Sequence, residues 1–363
     1  MVLLKVYIKI HTYLLVYLMS RSLKVVVYGV GPIGSLIVKL LDSKKGVELV
    51  GGIDVDPSKV GEDLGVVAGL GKSLGVKVVH DSTAWNFLKS VKPDVVIIST
   101  GTYLDRIYPQ IVRSVSVGAN VVSTSETLAY PWYRYPELSL LIDELAKKNG
   151  VRVIGTGVNP GFVFDALPAF LTSVSAEVHR IHVVRSLDAS KRRYSFQKKY
   201  GISLTPEEFR LKMSAGEITA HVGYAESIML LGCVLGVSID KVEEGQEPII
   251  AEEPMETQYF KISPGRVSGI HGWGVGYVNG REFVRLDLLA SVGREDYDEV
   301  LIEGNPTTRW RCETGIPGDI ATASMVVNII PRVLQAPPGL LTMKDVMIPS
   351  ACLGDYRWYA GKT

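Results

Sequence analysis

Gly29-Val30-Gly31-Pro32-Ile33-Gly34 stands between a continuous apolar run, 23–28, and a segment whose apolar residues, Ile33, Leu36, Ile37, Leu40 and Leu41, recur at helical spacing. Three glycines at these intervals allow a tight turn and bring backbone N–H groups close to a pyrophosphate. A helix starting there adds the partial positive charge of its N-terminus. The run is a weak signal alone, and a glycine turn that binds nothing is the competing reading. Its setting, after a strand and at the start of a helix, favours a phosphate-binding loop of Gly29, Gly31, Pro32, Ile33 and Gly34. Asp54 lies 20 residues beyond Gly34, at the end of a second apolar run. A carboxylate there accepts hydrogen bonds from ribose hydroxyls and repels a 2′-phosphate, so the pair calls for NAD or NADP, with NAD favoured. Asp56 is near enough to share the role and Lys59 near enough to soften the discrimination.

The second chemical signal is a lone carboxylate. In "VVSTSETLAYP", 121–131, two apolar β-formers lead into small polar residues around Glu126. A solvated loop glutamate is the default for such a residue, and its place in the fold decides otherwise. Apolar runs at 23–28, 47–54, 77–80, 94–99, 119–123 and 151–155 alternate with helical segments such as 104–117 and 137–148. That rhythm predicts a doubly wound parallel sheet, whose strands are apolar on both faces. Ligands of such sheets sit beyond the carboxyl ends of the strands. Here those ends are small or polar: 29–34, Asp54, 99–103, 123–126 and 155–159. Thr100, Gly101 and Ser125 leave room for a cofactor along the backbone. Tyr103, Glu126 and Asn159 are the candidates for an acid or base beside a nicotinamide, and Glu126 is the one carboxylate among them.

From about residue 162 the pattern changes. "AEVHRIHVVRSLDAS" alternates as a strand with one wet face, 205–236 reads as one long helical region, and Asn279-Gly280 marks a hairpin between two or three strands. "DEVLIEG" is a further strand. "GDIATASMVVNIIPRVLQ" is a helix expected to kink or end at Pro331 and to pack back on the first sheet, followed by a turn-rich arm. The fold class is therefore α/β: an N-terminal Rossmann-type doubly wound parallel sheet plus an α+β second domain with a mainly antiparallel sheet. The expected divisions are 1–20 as an extension or mispredicted start, 21–160 for dinucleotide binding, 161–315 for substrate and dimerisation, and 316–363 as C-terminal helix and arm.

The chain has 363 residues, 47% of them hydrophobic and 21% charged, with a formal net charge of +1. That balance offers no electrostatic reason for nucleic acid or an anionic membrane as partner. Three scattered cysteines, with no CxxC pair, suit a reducing, cytoplasmic setting and imply no disulfide framework or metal site. His179 and His182 fall on opposite faces of their strand. The apolar start, interrupted by Lys5, Lys9 and His11, is too short and too charged for a clear membrane span. HExxH and GxxxxGK[ST] are absent from the sequence.

Together "GVGPIG", "GIDVDPSKVGEDLG", "STSETLAYPW", "GTGVNPGFVFDALP", "RSLDASKRRYSFQKKYG" and "GDIATASMVVNIIPRVLQAPPGLLTMKDV" resemble the 2,4-diaminopentanoate dehydrogenase family, which includes the native amine dehydrogenases and belongs to the dihydrodipicolinate reductase-like group. The resemblance spans roughly 22–350 and is more specific in the middle motifs than in the glycine loop. It implies NAD(P)-dependent oxidative deamination of an amine or diamino acid to the ketone with release of ammonia, reversible as reductive amination. A homodimer through the second domain's sheet is expected. The resemblance places the catalytic carboxylate at Glu126, and Asn159 and Phe162 near nicotinamide and substrate. Arg185 would suit a substrate carboxylate, while His221, expected on a helix, suits a core or interface position better than a ligand. Many relatives read Cys-Glu-Glu where this chain has Ser125-Glu126-Thr127, which puts substrate range in question. The paired-histidine, lysine-bearing motif of the lysine-pathway reductases has no counterpart in the matching region. A dihydrodipicolinate reductase-like cyclic imine reductase and a non-catalytic NAD-binding protein are the alternatives.

Overall fold

The computed structural model describes residues 21–346 together with Asp355 and Arg357. The expected extension at 1–20 and part of the C-terminal arm lie outside the described residues. In chain order the strands are β1 (Leu23–Tyr28), β2 (Val47–Asp54), β3 (Val78–His80), β4 (Val95–Ile98), β5 (Asn120–Ser123), β6 (Arg152–Gly155), β7 (Glu177–Asp188), β8 (Lys241–Ile250), β9 (Met255–Glu256), β10 (Lys261–Ile262), β11 (Val267–Val278), β12 (Arg281–Ser291), β13 (Tyr297–Asn305), β14 (Thr308–Cys312) and β15 (Gly339–Leu341). Two compact units divide the chain: residues 1–158 with 318–363, and residues 159–317.

The first unit holds a seven-stranded sheet in the order β15-β6-β5-β4-β1-β2-β3, and every pairing is parallel. β1, β4, β5 and β6 are buried almost throughout, as strands covered on both faces must be. Helices Ala84–Val91, Leu104–Ser116 and Pro136–Lys148 send Leu88, Ile107, Ile111 and Ile142 into one core with Val26, Val96 and Val121. On the other face the helix Gly318–Gln335 packs against Pro32–Asp42 and behind β5 and β6. Each fully buried branched side chain contributes roughly 1.5–3 kcal/mol. The chain leaves β1 in one direction for β2 and β3 and in the other for β4, β5 and β6. The switch point therefore lies between β1 and β4.

The second unit holds a six-stranded sheet, β14-β13-β7-β12-β11-β8, antiparallel except for the β7–β12 pair. The Asn279-Gly280 hairpin forms as expected, both residues having positive φ, 51° and 72°. The helix Tyr224–Leu235 lies on β11, where Gly272 and Gly274 leave room for Tyr224 and Ile228.

Four sequence expectations change. The single helical region at 205–236 is two helices, Pro206–Ser214 and Tyr224–Leu235. They are interrupted where Gly216 and Gly223 take positive φ of 70° and 116°. His221 consequently lies in the connecting segment and not on a helix. The final helix runs through Pro331 to Gln335, because Ile329, Ile330, Val333 and Leu334 are buried around the proline and hold the last turn. The turn-rich arm contributes β15, paired in register with β6.

Candidate active site

Four strand-end loops of the first unit are joined side by side along the carboxyl edge of its sheet. The Asp54 carboxylate at the end of β2 accepts from the Val30 amide in the glycine turn, 2.8 Å. The Ser99 hydroxyl after β4 donates to the Gly29 carbonyl, 2.7 Å. The Thr102 carbonyl, in the same β4 loop, accepts from the Ser125 hydroxyl after β5, 2.7 Å. Adjacent strands sit about 4.8 Å apart, so this edge runs roughly 15 Å from Asp54 on β2 to Glu126 after β5. That is a fitting span for an extended dinucleotide with its pyrophosphate over β1.

The glycine turn has the form such a ligand needs. Gly29 adopts φ +93°, a region favouring glycine, and a Cβ there would meet the Thr100 side chain at 2.8 Å. A Cβ at Gly34 would fall 1.9 Å from the Gly29 carbonyl oxygen, so the helix Pro32–Asp42 seats against the turn only with glycine present. At Gly31 the opposite holds: nothing lies within 4 Å of a Cβ position. Gly31 is also the N-cap of that helix, with no side chain capping its first amides, and Pro32 occupies the first turn. The space and the unclaimed amides are where a phosphate group fits. These residues therefore fit a dinucleotide cofactor.

Asp54 is more heavily engaged than its sequence position suggests. One oxygen accepts from the Val55 and Asp56 amides, 2.8 and 2.9 Å, and the other from Val30 and from Lys59 Nζ at 3.3 Å. Burial pushes its carboxyl up, but the Asp56 and Val30 amides and the Lys59 ammonium outweigh that and hold it below its ordinary value. It is ionised at neutral pH and keeps the glycine turn in place. Lys59 also lies 3.4 Å from Asp56.

Glu126 opens the short 3₁₀ turn Glu126–Leu128 directly after β5 and is half-buried. Its neighbours Ser125 and Thr127 are buried and face the β4 loop. Tyr103, half-buried, is the N-cap of the helix Leu104–Ser116, and Thr100 and Gly101 precede it on the same loop. The structure thus brings Gly29, Gly31, Pro32, Ile33, Gly34, Asp54, Thr100, Gly101, Tyr103, Ser125 and Glu126 to one edge of one sheet. Sequence reasoning missed Ser99, Thr102 and Thr127, which join these loops. The signal available was a run of hydroxyl residues with no other task.

Asn159, Phe162 and Arg185 belong to the second unit. The Asn159 amide lies 3.2 Å from His221 Nε2, and Asn159 Oδ1 is buried without a hydrogen-bond partner. His221 packs edge-on against Tyr224, and burial, with the Lys199 and Arg185 charges, holds it well below the ordinary histidine value, hence neutral. The turn carrying Asn159 and Phe162 is fixed by the wholly buried Asp165, whose carboxylate accepts from Gly161 N at 2.9 Å and Ser227 Oγ at 2.7 Å. Arg185 corrects an expectation. It is 4% exposed, stands opposite Asp298 across β7 and β13, and donates to the Ile316 carbonyl. Its guanidinium belongs to a core ion pair, 3.6 Å from Asp298, in place of a waiting site for a substrate carboxylate.

A parallel sheet with a glycine cradle at its switch point, followed by an α+β unit on a largely antiparallel sheet, defines a two-unit dinucleotide-binding protein. Residues 162–362 match the family described as 2,4-diaminopentanoate dehydrogenase C-terminal domain, and residues 23–102 match dihydrodipicolinate reductase, N-terminus. The chain is 33% identical to a 2,4-diaminopentanoate dehydrogenase of Acetoanaerobium sticklandii, over 93% of this chain and 97% of that protein. It is 23% identical to an amine dehydrogenase of Streptomyces virginiae, over 90% and 96%. The solved structure of an amine dehydrogenase from Mycobacterium smegmatis superposes with a TM-score of 0.80 at 28% identity, covering 92% of this chain and 98% of that one. The chain belongs to the 2,4-diaminopentanoate dehydrogenase family.

Proposed function

We propose that the protein is an NAD(P)-dependent amine dehydrogenase in which Glu126 moves the protons. The observation that carries this reading is the half-buried carboxylate two strands from the glycine cradle, on a loop tied to it through the β4 loop. The overall change is R₂CH–NH₃⁺ + NAD(P)⁺ + H₂O → R₂C=O + NH₄⁺ + NAD(P)H + H⁺. Gly29 to Gly34 and Asp54 hold the cofactor, which when bound supplies the hydride acceptor. Glu126 pairs with the substrate ammonium and takes a proton from it, freeing the nitrogen lone pair that expels hydride from the neighbouring carbon. Glu126 gives that first proton to solvent, the H⁺ of the overall change. The regenerated carboxylate removes a proton from the water attacking the iminium carbon and returns it to nitrogen. It then takes the proton of the new hydroxyl as the carbonyl forms, so that ammonia departs and leaves with that proton as NH₄⁺. Asn159 and Phe162 are carried forward as contacts to nicotinamide and substrate, and Arg185 is not.

Residues 162–362 match the 2,4-diaminopentanoate dehydrogenase C-terminal domain and the full-length relatives are amine dehydrogenases, so a cyclic imine reductase is not favoured. A non-catalytic NAD-binding protein has no use for a carboxylate at this position. The test is a panel of amines and ketones with both cofactors. NADH formation from 2,4-diaminopentanoate or from a small amine on a secondary carbon is expected, and turnover of cyclic imines alone would sink the reading.

For the cofactor, Asp54 supports a preference for NAD, and Lys59, reaching both Asp54 and Asp56, supports tolerance of NADP. An exposed ion pair is worth up to about 1 kcal/mol. Lys59→Ala should therefore weaken NADPH binding about fivefold and NADH binding much less, as read by fluorescence titration. Equal turnover of NAD and NADP by the unaltered protein would remove the argument from Asp54.

We also propose a homodimer through the six-stranded sheet. The face opposite the helix Tyr224–Leu235 carries His182, His271, Trp273 and Asp287, the last held by both histidines at 2.8 Å and by Arg285. Among the described residues no helix is long and apolar enough to cross a membrane. Cys233 and Cys312 are free thiols, which supports a cytoplasmic setting.

A further inference from the structure

Thr127 is fully buried and sits one residue beyond the proposed proton carrier. Its hydroxyl oxygen accepts from the Leu104 amide at 2.8 Å, one of the first N–H groups of the helix Leu104–Ser116, which have no acceptor within the helix itself. The N-cap residue of that helix, Tyr103, makes no side-chain cap of its own. The same hydroxyl lies 3.2 Å from the Thr102 carbonyl, and the Thr127 amide donates to that carbonyl at 3.2 Å. The Ser125 hydroxyl reaches it from the other side of Glu126, at 2.7 Å. From behind, Gly155 lets β6 close on the turn, since a Cβ there would lie 2.4 Å from the Leu128 backbone. Glu126 is therefore bracketed by two buried hydroxyls that converge on one carbonyl of the Gly101–Tyr103 loop.

We infer that Thr127 is a positioning residue. It caps the helix Leu104–Ser116 from a different loop and so fixes Glu126 relative to the loop along which the nicotinamide is to lie. The inference rests on the reading of Glu126 given above. A hydroxyl is well suited to this position because it accepts from Leu104 and donates to Thr102 at once, which no aliphatic side chain can do. Loss of the bracket leaves the cofactor cradle intact, because the cradle is held by Asp54 and Ser99. It loosens the alignment of Glu126, and a displacement of about 1 Å can cost 10²-fold in rate.

The test compares T127V, T127S and S125A in steady-state amine oxidation and in NADH titration. T127V should lower kcat by about 10- to 100-fold, with the Kd for NADH and the KM for NAD within about twofold, and T127S should restore most of kcat. An unchanged kcat in T127V overturns the inference. So does a loss of kcat matched by an equal loss of NADH affinity that T127S fails to rescue, which is the pattern of general damage. Should T127V not accumulate as folded protein, S125A decides: a fall in kcat of about threefold or more at unchanged NADH affinity supports the bracket, and an unchanged kcat overturns it. E126Q is assayed alongside. An inactive E126Q with an unimpaired T127V refutes the inference about Thr127 alone, whereas an active E126Q refutes the reading of Glu126 and this inference with it.

Discussion

E126Q is expected to lower kcat for amine oxidation by about 10² to 10⁴ while leaving NADH affinity nearly unchanged. Glutamine keeps the size and the hydrogen-bonding reach of the side chain but has no oxygen basic enough to take a proton. Main-chain and flanking hydroxyl bonds that the change leaves in place hold the turn. The Ala129 amide donates to the Glu126 carbonyl, and Ser125 and Thr127 tie its flanks to Thr102. The cofactor cradle lies two strands away and is fastened by Asp54 and Ser99. Rate and affinity should therefore part company: stopped-flow hydride transfer falls, and the fluorescence titration with NADH does not. A variant that deaminates at the full rate would show that the proton is handled elsewhere, and the proposed mechanism would be abandoned.

The first unit was legible in the sequence because its signals are local. A strand buried on both faces must be a continuous apolar run, as 23–28 is, and a phosphate turn must place its glycines within six residues. The second unit depended on partners distant in the chain. β8, "KVEEGQEPII", has no fully buried residue and no apolar run, and becomes a strand through ten residue pairs with β11. Arg185 read as a possible substrate contact because Asp298, directly opposite it, stands 113 positions later and nothing near Arg185 announces it. The helical region at 205–236 was overextended because its composition stays favourable across Gly216 and Gly223, and only the backbone conformation shows the break. The same holds at the site. Glu126 was visible as a lone carboxylate at a strand end, whereas Thr127 looked like ordinary loop polarity because its partners lie 23 and 25 residues earlier.

The glycine turn gives the second large effect, and a pair of substitutions separates binding from folding. Gly31 has φ −81°, which any residue adopts, and open space around its Cβ position. G31A should fold with a Tm within a few degrees of the parent. The added methyl group occupies the space proposed for the pyrophosphate and stands over the first amides of the helix, so the Kd for NADH should rise by more than about tenfold, or 1.4 kcal/mol. Gly34 is different: a Cβ 1.9 Å from the Gly29 oxygen and 3.1 Å from Ser99 Oγ forces backbone against backbone. Overpacking of this kind costs about 1–3 kcal/mol, so G34A should lower the Tm by several degrees and weaken NADH binding as well. If both glycines merely shaped a tight turn, G31A would bind NADH normally and G34A would lose stability alone. That outcome would remove the phosphate site from β1 and, with it, the reason for placing a nicotinamide beside Glu126.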